Sequence, residues 1–300
     1  MNSPKFLKNN IRYNISLKSR TSFAIGGRAR YWYEPRGIAE LVKFLKTPCF
    51  SSPLFVIGCG SNILVREGVI DRVFIRLNAA AFNKARVCGP KVYVGAGIKI
   101  SRLISALRRE DINGYEFLAG IPGTVGGAIV MNAGIRRGIV DLACFQMQDI
   151  VRSVEVLDKN GRRRILDISD LVFSYRGSNL KPFIVIGAVL EFVRGDRKGA
   201  HKRMLSLMEH RRKSQDWHYP SAGSFFKNPA SGGSAGQLID ICHLKGFKVG
   251  GAQVSDKHAN FIINTGGATS DDVIKIMEKI RQRVYNRFKI ELMPEVEIVS

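Results

Sequence analysis

The sequence predicts an α+β protein, and three observations carry that prediction. Helical and strand-like periodicities are mixed along the chain without the strict alternation of a doubly wound α/β fold. Residues 120–134 hold five glycines in fifteen positions (Gly120, Gly123, Gly126, Gly127, Gly134), interleaved with Ile121, Val125, Ile129, Val130 and Met131. A second glycine loop, Gly58-Cys59-Gly60-Ser61-Asn62, follows a short apolar strand at 54–57.

Residues 38–46 have helical spacing, with Pro48 just beyond. Strands are expected at 54–57, 72–77, 85–88 and 91–95, the last two separated by Gly89-Pro90. Ile100, Leu103, Ile104 and Leu107 mark one face of a helix ending near Asp111. Residues 151–157 alternate as a strand, Asn160-Gly161 turns, and 163–168 returns. Residues 183–193 read as a long apolar strand. The basic run at 199–213 reads as one solvated helix leading to a second unit of about ninety residues. That unit holds an irregular Gly/Ser-rich stretch (221–236), a short helix at 237–242, a strand at 261–264 and an amphipathic helix at 271–288. Thr269 and Asp272 form a capping box for that helix, and a final strand covers 289–299.

Three hundred residues imply more than one domain. Hydrophobic content of 45% and charged content of 24% are those of an ordinary globular chain. The N-terminus lacks the apolar core of a secretory signal, and no run of about 18 apolar residues is present. A cytoplasmic, monomeric protein is expected. The five cysteines (Cys49, Cys59, Cys88, Cys144, Cys242) are odd in number and none form Cys-x-x-Cys. Free thiols in a reducing compartment fit better than disulfides or zinc, and no metal site is expected. Forty-seven Lys and Arg against 25 Asp and Glu give a net charge of +22, which implies anionic partners. The basic residues are spread along the chain, with no recognition helix, zinc finger or aromatic RNA-binding pattern, so nucleic acid is not expected as the main partner. Phosphate-bearing small molecules account for part of the charge.

The glycine loops supply candidate binding chemistry. Glycine permits positive φ and close approach of a ligand to the main chain, and successive N–H groups then form a concave anion site. A tight turn leading into a small-residue helix is the plainer alternative for 120–134. Strand-then-glycine at 58–62 is a phosphate-cradling layout, but it lacks the third glycine and following helix of a Rossmann fingerprint. Two such loops about sixty residues apart suit one extended, diphosphate-bearing cofactor.

Three polar residues stand out. Ser224 sits between Gly223 and Phe225-Phe226, with Lys227 and Asn228 next. It is either a turn serine or an oriented proton donor, and no Gly-x-Ser-x-Gly elbow surrounds it. Arg176, in Phe-Ser-Tyr-Arg, is either a surface arginine at a strand end or a bidentate fork for a carboxylate or phosphate. Glu295 lies in the expected last strand, where alternation puts it on one face with Glu297 and opposite Val296 and Ile298. Solvent exposure is the simpler reading for both glutamates.

Taken in order, the motifs Thr21-Ser-Phe-Ala-Ile-Gly-Gly27, Ile57-Gly-Cys-Gly-Ser-Asn62, Ala119-Gly-Ile-Pro-Gly-Thr-Val-Gly-Gly-Ala128 and Met131-Asn-Ala-Gly134 resemble the UDP-N-acetylenolpyruvoylglucosamine reductases, the MurB family of peptidoglycan synthesis. Phe173-Ser-Tyr-Arg176, Ala222-Gly-Ser-Phe-Phe-Lys-Asn-Pro229, Leu238-Ile-Asp, Leu244-Lys-Gly246, Val254-Ser-Asp-Lys-His-Ala-Asn260 and Pro294-Glu-Val296 continue the likeness. It runs from about residue 20 to the C-terminus.

The resemblance implies an FAD-binding fold shared with p-cresol methylhydroxylase and vanillyl-alcohol oxidase over 1–195 (subdomains about 1–80 and 81–195), and a substrate domain over 196–300. FAD would be held non-covalently, since no histidine precedes His201. Its contacts would come from Ile57, Gly58, Gly60, Ser61, Asn62, Ala119, Gly120, Gly123, Thr124, Gly126, Gly127, Asn132 and Gly134. NADPH would be the co-substrate, and UDP-N-acetylglucosamine enolpyruvate would then be reduced to UDP-N-acetylmuramate. Ser224 would donate the proton, while Arg176 and a protonated Glu295 stabilise charge on the carboxylate. Lys227, Asn228, Lys245 and His258 would bind substrate. The segment Ile135-Arg136-Arg137-Gly138 and a long 139–150 depart from the family pattern. The absence of a tyrosine-bearing insertion after Arg176 places the chain in the shorter subgroup. A different flavin oxidase or dehydrogenase of the same fold, acting on a sugar or alcohol, is the other enzyme expected from the glycine loops.

Overall fold

The computed structural model describes residues 10–47, 52–135, 141–142 and 144–300. Cys49, Pro48 and the unusual residues 136–140 lie outside them. The described elements mix helices and strands as an α+β chain does. A five-stranded antiparallel sheet runs in the order Arg163–Asp167, Val151–Leu157, Ile184–Glu191, Lys91–Gly95, Ala85–Cys88. One four-stranded sheet has the order Ile11–Ser16, Arg28–Tyr33, Val69–Ile75, Leu54–Val56. Another has the order Ser221–Ser224, Phe261–Asn264, Ala252–Val254, Lys248–Val249.

By compactness the chain divides into two units. One is Met1–Arg12, Trp32–Gly58 and Val73–Arg211; the other is Tyr13–Tyr31, Cys59–Arg72 and Arg212–Ser300. This partition interleaves the sequence. Long-range pairing is the reason: Ile63–Val65 lies parallel to Glu297–Val299, which gathers 59–72 with the C-terminal segment.

In the first unit the five-stranded sheet is built from the expected hairpins. Val151–Leu157 is buried at Val151, Val154, Val156 and Leu157, and Asp158 accepts from the amides of Asn160 and Arg162 to close the turn. The apolar stretch expected at 183–193 forms the strand Ile184–Glu191, beside both Val151–Leu157 and Lys91–Gly95. Helix Ile100–Leu107 buries Ile100, Leu103 and Leu107. The glycine stretch forms a short helix, Val125–Val130, whose Gly126 amide donates to the Ala96 carbonyl at 2.8 Å. A Cβ on Gly126 would lie 2.9 Å from that of Ala96, so a larger residue could not seat this helix.

The basic helix Arg197–Ser214 is not simply solvated, which corrects the sequence expectation. Its Ala200, Met204 and Leu207 are buried, and Arg203 reaches Glu116, which is wholly buried. Arg203 donates from Nε and Nη2 to Glu116 Oε1 at 3.0 and 2.8 Å, and the Gly114 amide donates to Oε2 at 2.6 Å.

In the second unit a core of Phe225, Phe226, Leu238, Ile239, Val273, Ile276, Ile280, Val284, Leu292 and Val296 packs the long helix Ser270–Phe288 under the sheet. The expected capping box is present: the Asp272 amide donates to Thr269 Oγ1 at 3.1 Å and the Thr269 amide to Asp272 Oδ2 at 3.0 Å. Two expectations fail here. Residues 221–236 are not all irregular, because Ser221–Ser224 pairs with Phe261–Asn264 and Ser234 caps the helix Ala235–Ile241. The last strand covers only Glu297–Val299, so the alternation assigned to Glu295 does not hold. Val296 and Val299 are buried and Ile298 is exposed. The Phe225 carbonyl takes the Glu295 amide and bends the chain before the strand begins.

Among the described residues no helix is long and apolar enough to cross a membrane. Cys144 is buried, and desolvation followed by the nearby Asp149 charge pushes its thiol up to about 11, whereas Cys88 is exposed.

Arg203→Met should strand the Glu116 carboxylate in the interior. Breaking a buried pair costs roughly 3–5 kcal/mol, and the partly exposed Arg203 places this case near the lower figure. Equilibrium urea unfolding checks it; a loss under about 1 kcal/mol would show that water replaces the guanidinium.

Candidate active site

Within the first unit Gly58, where one glycine loop begins, meets Thr124 of the other glycine-rich segment. The Ile57 amide donates to the Ile75 carbonyl at 2.9 Å, which carries the strand's exit to Gly58. A Cβ on Gly58 would lie 2.6 Å from Thr124 Oγ1. That same hydroxyl oxygen caps the Val125–Val130 helix by accepting from the Gly127 amide at 3.4 Å. Gly120 and Gly123 have φ of +75° and +125°, values that an L side chain rarely adopts. Ala119 is buried behind them, while Gly127 and Pro122 are exposed. A turn in αL conformation beside a helix start is a concave main-chain surface suited to an anion.

The far end of this segment is held from the side. Asn132 is 1% exposed, and its amide donates to Gln148 Oε1 at 2.9 Å and the Ser174 carbonyl at 3.1 Å. Its Oδ1 accepts from the Gln148 amide at 3.0 Å. Its side chain is thus engaged by protein groups and ties 131–134 to the turn that bears Arg176. Gly134 packs so closely on Gln146 that a Cβ would lie 2.5 Å from Gln146 Cβ. Arg176 occupies the turn between Phe173–Ser174 and Gly177–Ser178 with φ +57°, a strained value for a residue with a side chain. Its Nη2 donates to the Gly134 carbonyl at 3.1 Å, and its guanidinium lies 5.4 Å from the Tyr175 ring centroid.

Arg211 grips the opposite end of the glycine segment, donating from Nη1 to the Gly120 carbonyl at 3.1 Å. Burial, and then the Arg176 charge, lowers its pKa to about 10. Sequence reasoning missed Arg211 and Arg203 because they were read as part of a charged run. The signal was there: Ala200, Arg203, Met204, Leu207 and Arg211 share one helical face.

The second unit assembles Gly60, Ser61, Asn62, Ser224 and Glu295. Gly60 has φ +62°, and a Cβ there would lie 2.4 Å from the Arg20 carbonyl oxygen. Its own carbonyl accepts from the Ser22 amide at 3.1 Å, and Ser22 Oγ donates to the Ser221 carbonyl at 2.7 Å. Ser61 is half-buried. Asn62 Nδ2 donates to the Glu295 carbonyl at 3.1 Å. Glu295 and Ser224 are brought together through Phe225, whose carbonyl accepts the Glu295 amide at 2.8 Å.

Asn260 holds this crossing. It is 4% exposed; its Nδ2 donates to the Phe226 carbonyl at 2.8 Å and its Oδ1 accepts from the Phe226 amide at 2.9 Å. The Phe225 amide also donates to the Asn260 carbonyl at 2.8 Å. Gly223, φ +77°, has open space where a Cβ would stand, immediately before Ser224.

The four residues expected at substrate are spread around the same unit. The Lys227 amide donates to the Met293 carbonyl at 2.9 Å, and Asn228 Oδ1 accepts from the Ala235 amide at 3.0 Å. Lys245 is exposed and pairs with Asp240 at 2.7 Å. His258 lies tilted against Phe261, 4.7 Å between centroids, and 3.5 Å, at its Cε1, from where a Gly236 Cβ would stand. Its Nδ1 accepts from the Asn260 amide at 3.2 Å, which leaves Nε2 as the protonated nitrogen of the neutral ring. Burial, the main cause, lowers its pKa and keeps it neutral at pH 7.

Comparison with known proteins fits this geometry. Residues 29–167 match the family described as FAD binding domain, and residues 215–299 match UDP-N-acetylenolpyruvoylglucosamine reductase, C-terminal domain. The chain is 41% identical over 290 residues to the UDP-N-acetylenolpyruvoylglucosamine reductase of Caldanaerobacter subterraneus, covering 96% of this chain and 93% of that protein. It is 41% identical to the enzyme of that name from Alkalilimnicola ehrlichii, covering 97% and 95%. Among solved structures it is similar to UDP-N-acetylenolpyruvylglucosamine reductase (MurB) from Thermus caldophilus, with a TM-score of 0.83 and 33% identity, covering 97% of this chain and all of that one. FAD suits the residues present, because Gly58 and the left-handed Gly120 and Gly123 leave main chain in place of side chains. The chain belongs to the UDP-N-acetylenolpyruvoylglucosamine reductase family, whose members are FAD-dependent oxidoreductases of peptidoglycan precursor synthesis.

Proposed function

We propose that this chain reduces UDP-N-acetylglucosamine enolpyruvate to UDP-N-acetylmuramate with NADPH, using residues of the two glycine loops for FAD and Ser224, Arg176 and Glu295 for the chemistry. The observation that carries the reading is the contact of Gly58 with Thr124, where the lack of a side chain at residue 58 lets two distant segments meet. On this reading FAD contacts would come from Ile57, Gly58, Gly60, Ser61 and Asn62 and from Ala119, Gly120, Gly123, Thr124, Gly126, Gly127, Asn132 and Gly134. The division into an FAD-binding part at 1–195 and a substrate part at 196–300, a monomeric state and a cytoplasmic setting belong to the same proposal.

FAD, held by residues of the two glycine loops, would supply two-electron hydride chemistry between NADPH and the vinyl methylene carbon. As that hydride arrives, charge develops toward the substrate carboxylate. Arg176, pre-set by its strained turn and the Gly134 carbonyl, offers a fixed cation for that charge. Glu295 carries a proton in this scheme and donates to the same carboxylate, since a second anion there would oppose the reaction. Ser224 delivers the proton to the adjacent carbon, so one hydride and one proton saturate the double bond. A hydroxyl is a weak acid, and its contribution rests on position, which the Asn260 bracket around Phe225 and Phe226 holds. Lys227 and Lys245 suit the diphosphate. Asn228 and the His258 Nε2–H serve as neutral hydrogen-bonding groups to the nucleotide sugar.

Ser224→Ala should leave flavin reduction by NADPH within about threefold of the parent, while product formation falls by roughly 10²–10⁴-fold, the usual worth of a positioned acid. Rapid mixing that follows the flavin absorbance separates the two half-reactions, and an equal fall in both would remove Ser224 from the proton step.

Gly58→Ala should push Thr124 from its capping position and weaken FAD binding by about tenfold or more, a shift of roughly 1.4 kcal/mol. Flavin fluorescence on dilution of the holoenzyme reads the dissociation constant. The double variant Gly58→Ala/Thr124→Ala should recover part of the loss; retention of parent affinity by the single variant would show that this contact does not shape the cofactor site.

A further inference from the structure

The strand that carries Ser224 is irregular just before that residue. Ser221 pairs with Ile263 and Ser224 with Phe261, so three steps on one strand face two on the other. Such a bulge re-aims the side chain beside it and interrupts the ladder. Gly223 sits inside it with φ +77°, a conformation that glycine adopts freely. The ladder alone therefore does not fix Ser224. After the bulge, the Asn260 bracket holds Phe225 and Phe226. Before it, the Ser221 carbonyl accepts from Ser22 Oγ at 2.7 Å.

Ser22 comes from the motif Thr21–Gly27, to which the proposed chemistry gives no part. Its segment is firmly seated. Phe23 and Ile25 lie in the core of the second unit, Asn264 Nδ2 donates to the Phe23 carbonyl at 3.1 Å, and Thr21 Oγ1 donates to the Ile25 carbonyl at 3.0 Å. The same serine meets the glycine loop. Its amide donates to the Gly60 carbonyl at 3.1 Å, and a Cβ on Gly60 would lie 2.9 Å from Thr21 Cα. The hydroxyl has one hydrogen to give, and the 2.7 Å bond to Ser221 takes it in preference to the 3.4 Å approach to Gly60. One half-buried residue thus holds the loop of Gly60 with its main chain and the strand of Ser224 with its side chain. Removing the hydroxyl frees the strand and leaves the loop held.

We propose that Ser22 is a positioning residue for the proton donor: its hydroxyl pins Ser221, and so sets the direction in which Ser224 leaves the bulge relative to the loop of Gly60. The inference rests on the reductase reading, in which Gly60 contacts FAD and Ser224 delivers the proton. Ser22 acts on the reaction only through the strand. A hydroxyl is a weak acid that works by placement, so a loosened strand costs the proton step. Flavin reduction by NADPH needs no proton from Ser224 and is spared.

The test compares the purified holoenzyme with its Ser22→Ala variant. Amide hydrogen exchange followed by mass spectrometry reports how firmly residues 221–226 are held. Flavin fluorescence on dilution gives FAD affinity. Rapid mixing separates flavin reduction by NADPH from reoxidation by the enolpyruvyl sugar. Ser22→Ala should exchange faster over 221–226 and be reoxidised about tenfold or more slowly, toward the roughly hundredfold that a misplacement of about 1 Å can cost. FAD affinity and flavin reduction should stay within about threefold of the parent, because the residue 22 amide still holds Gly60. Unchanged exchange, reoxidation slowed by less than about tenfold, or a fall in flavin reduction as large as that in reoxidation overturns the proposal. Ser22→Cys keeps the shape of serine with a weaker donor and is the variant to rely on if alanine impairs folding, with about threefold as the dividing figure for reoxidation. A parent protein that binds no FAD, or whose reduced flavin the sugar does not reoxidise, defeats the reductase reading and the proposal with it, before any variant is compared.

Discussion

At Gly58 the main chain comes so close to Thr124 that even a methyl group would collide with the threonine hydroxyl. Much of the first unit is arranged around that approach. Ile57 hangs from Ile75 at the sheet edge, which fixes where the loop emerges, and Gly126 sits on Ala96, which fixes where the small helix begins. Thr124 lies between them and spends its hydroxyl on the helix start. Two segments far apart in sequence meet only because Gly58 brings no side chain against the Thr124 hydroxyl.

The second unit solves a different problem with similar economy. Ser224 and Glu295 come from opposite ends of the C-terminal segment and must be kept in register. Short strands alone would do this weakly. The amide of Asn260 engages both polar groups of the Phe226 peptide, and its own carbonyl takes the Phe225 amide. The aromatic side chains are thereby committed to the core, and Ser224, immediately before them, is left half-buried at the edge. Packing energy here serves placement as much as stability, because the same phenylalanines anchor the core and space the two polar residues.

Local signals survived translation into structure where one element decides its own fate. The strand Val151–Leu157, the Asp158 turn and the Thr269–Asp272 box were legible because alternation, an Asx turn and a cap are short-range chemistry. The α+β class followed from the same local mixture. The last strand was misread because the Phe225 carbonyl, seventy residues away in sequence, claims the Glu295 amide. The basic helix was misread because charge was weighed without periodicity, although Ala200, Met204 and Leu207 mark the face that carries Arg203 and Arg211. The motif order disclosed the family and named the candidate residues. It did not disclose the supports, namely Asn260 behind Ser224 and Asn132 behind Arg176, since a supporting residue is recognised by what it touches.

The Asn260 bracket has one more implication, and it concerns chemical ageing. An asparagine amide both gives and accepts, so its side chain imitates a neighbouring peptide across from Phe226. Slow hydrolysis of that amide would leave a carboxylate of nearly identical shape that can only accept. The atom now offering a hydrogen to the Phe226 carbonyl would become an oxygen facing another oxygen, in a place 4% open to solvent. A one-dalton change, invisible to shape, would then loosen the joint on which both polar residues of the second unit depend.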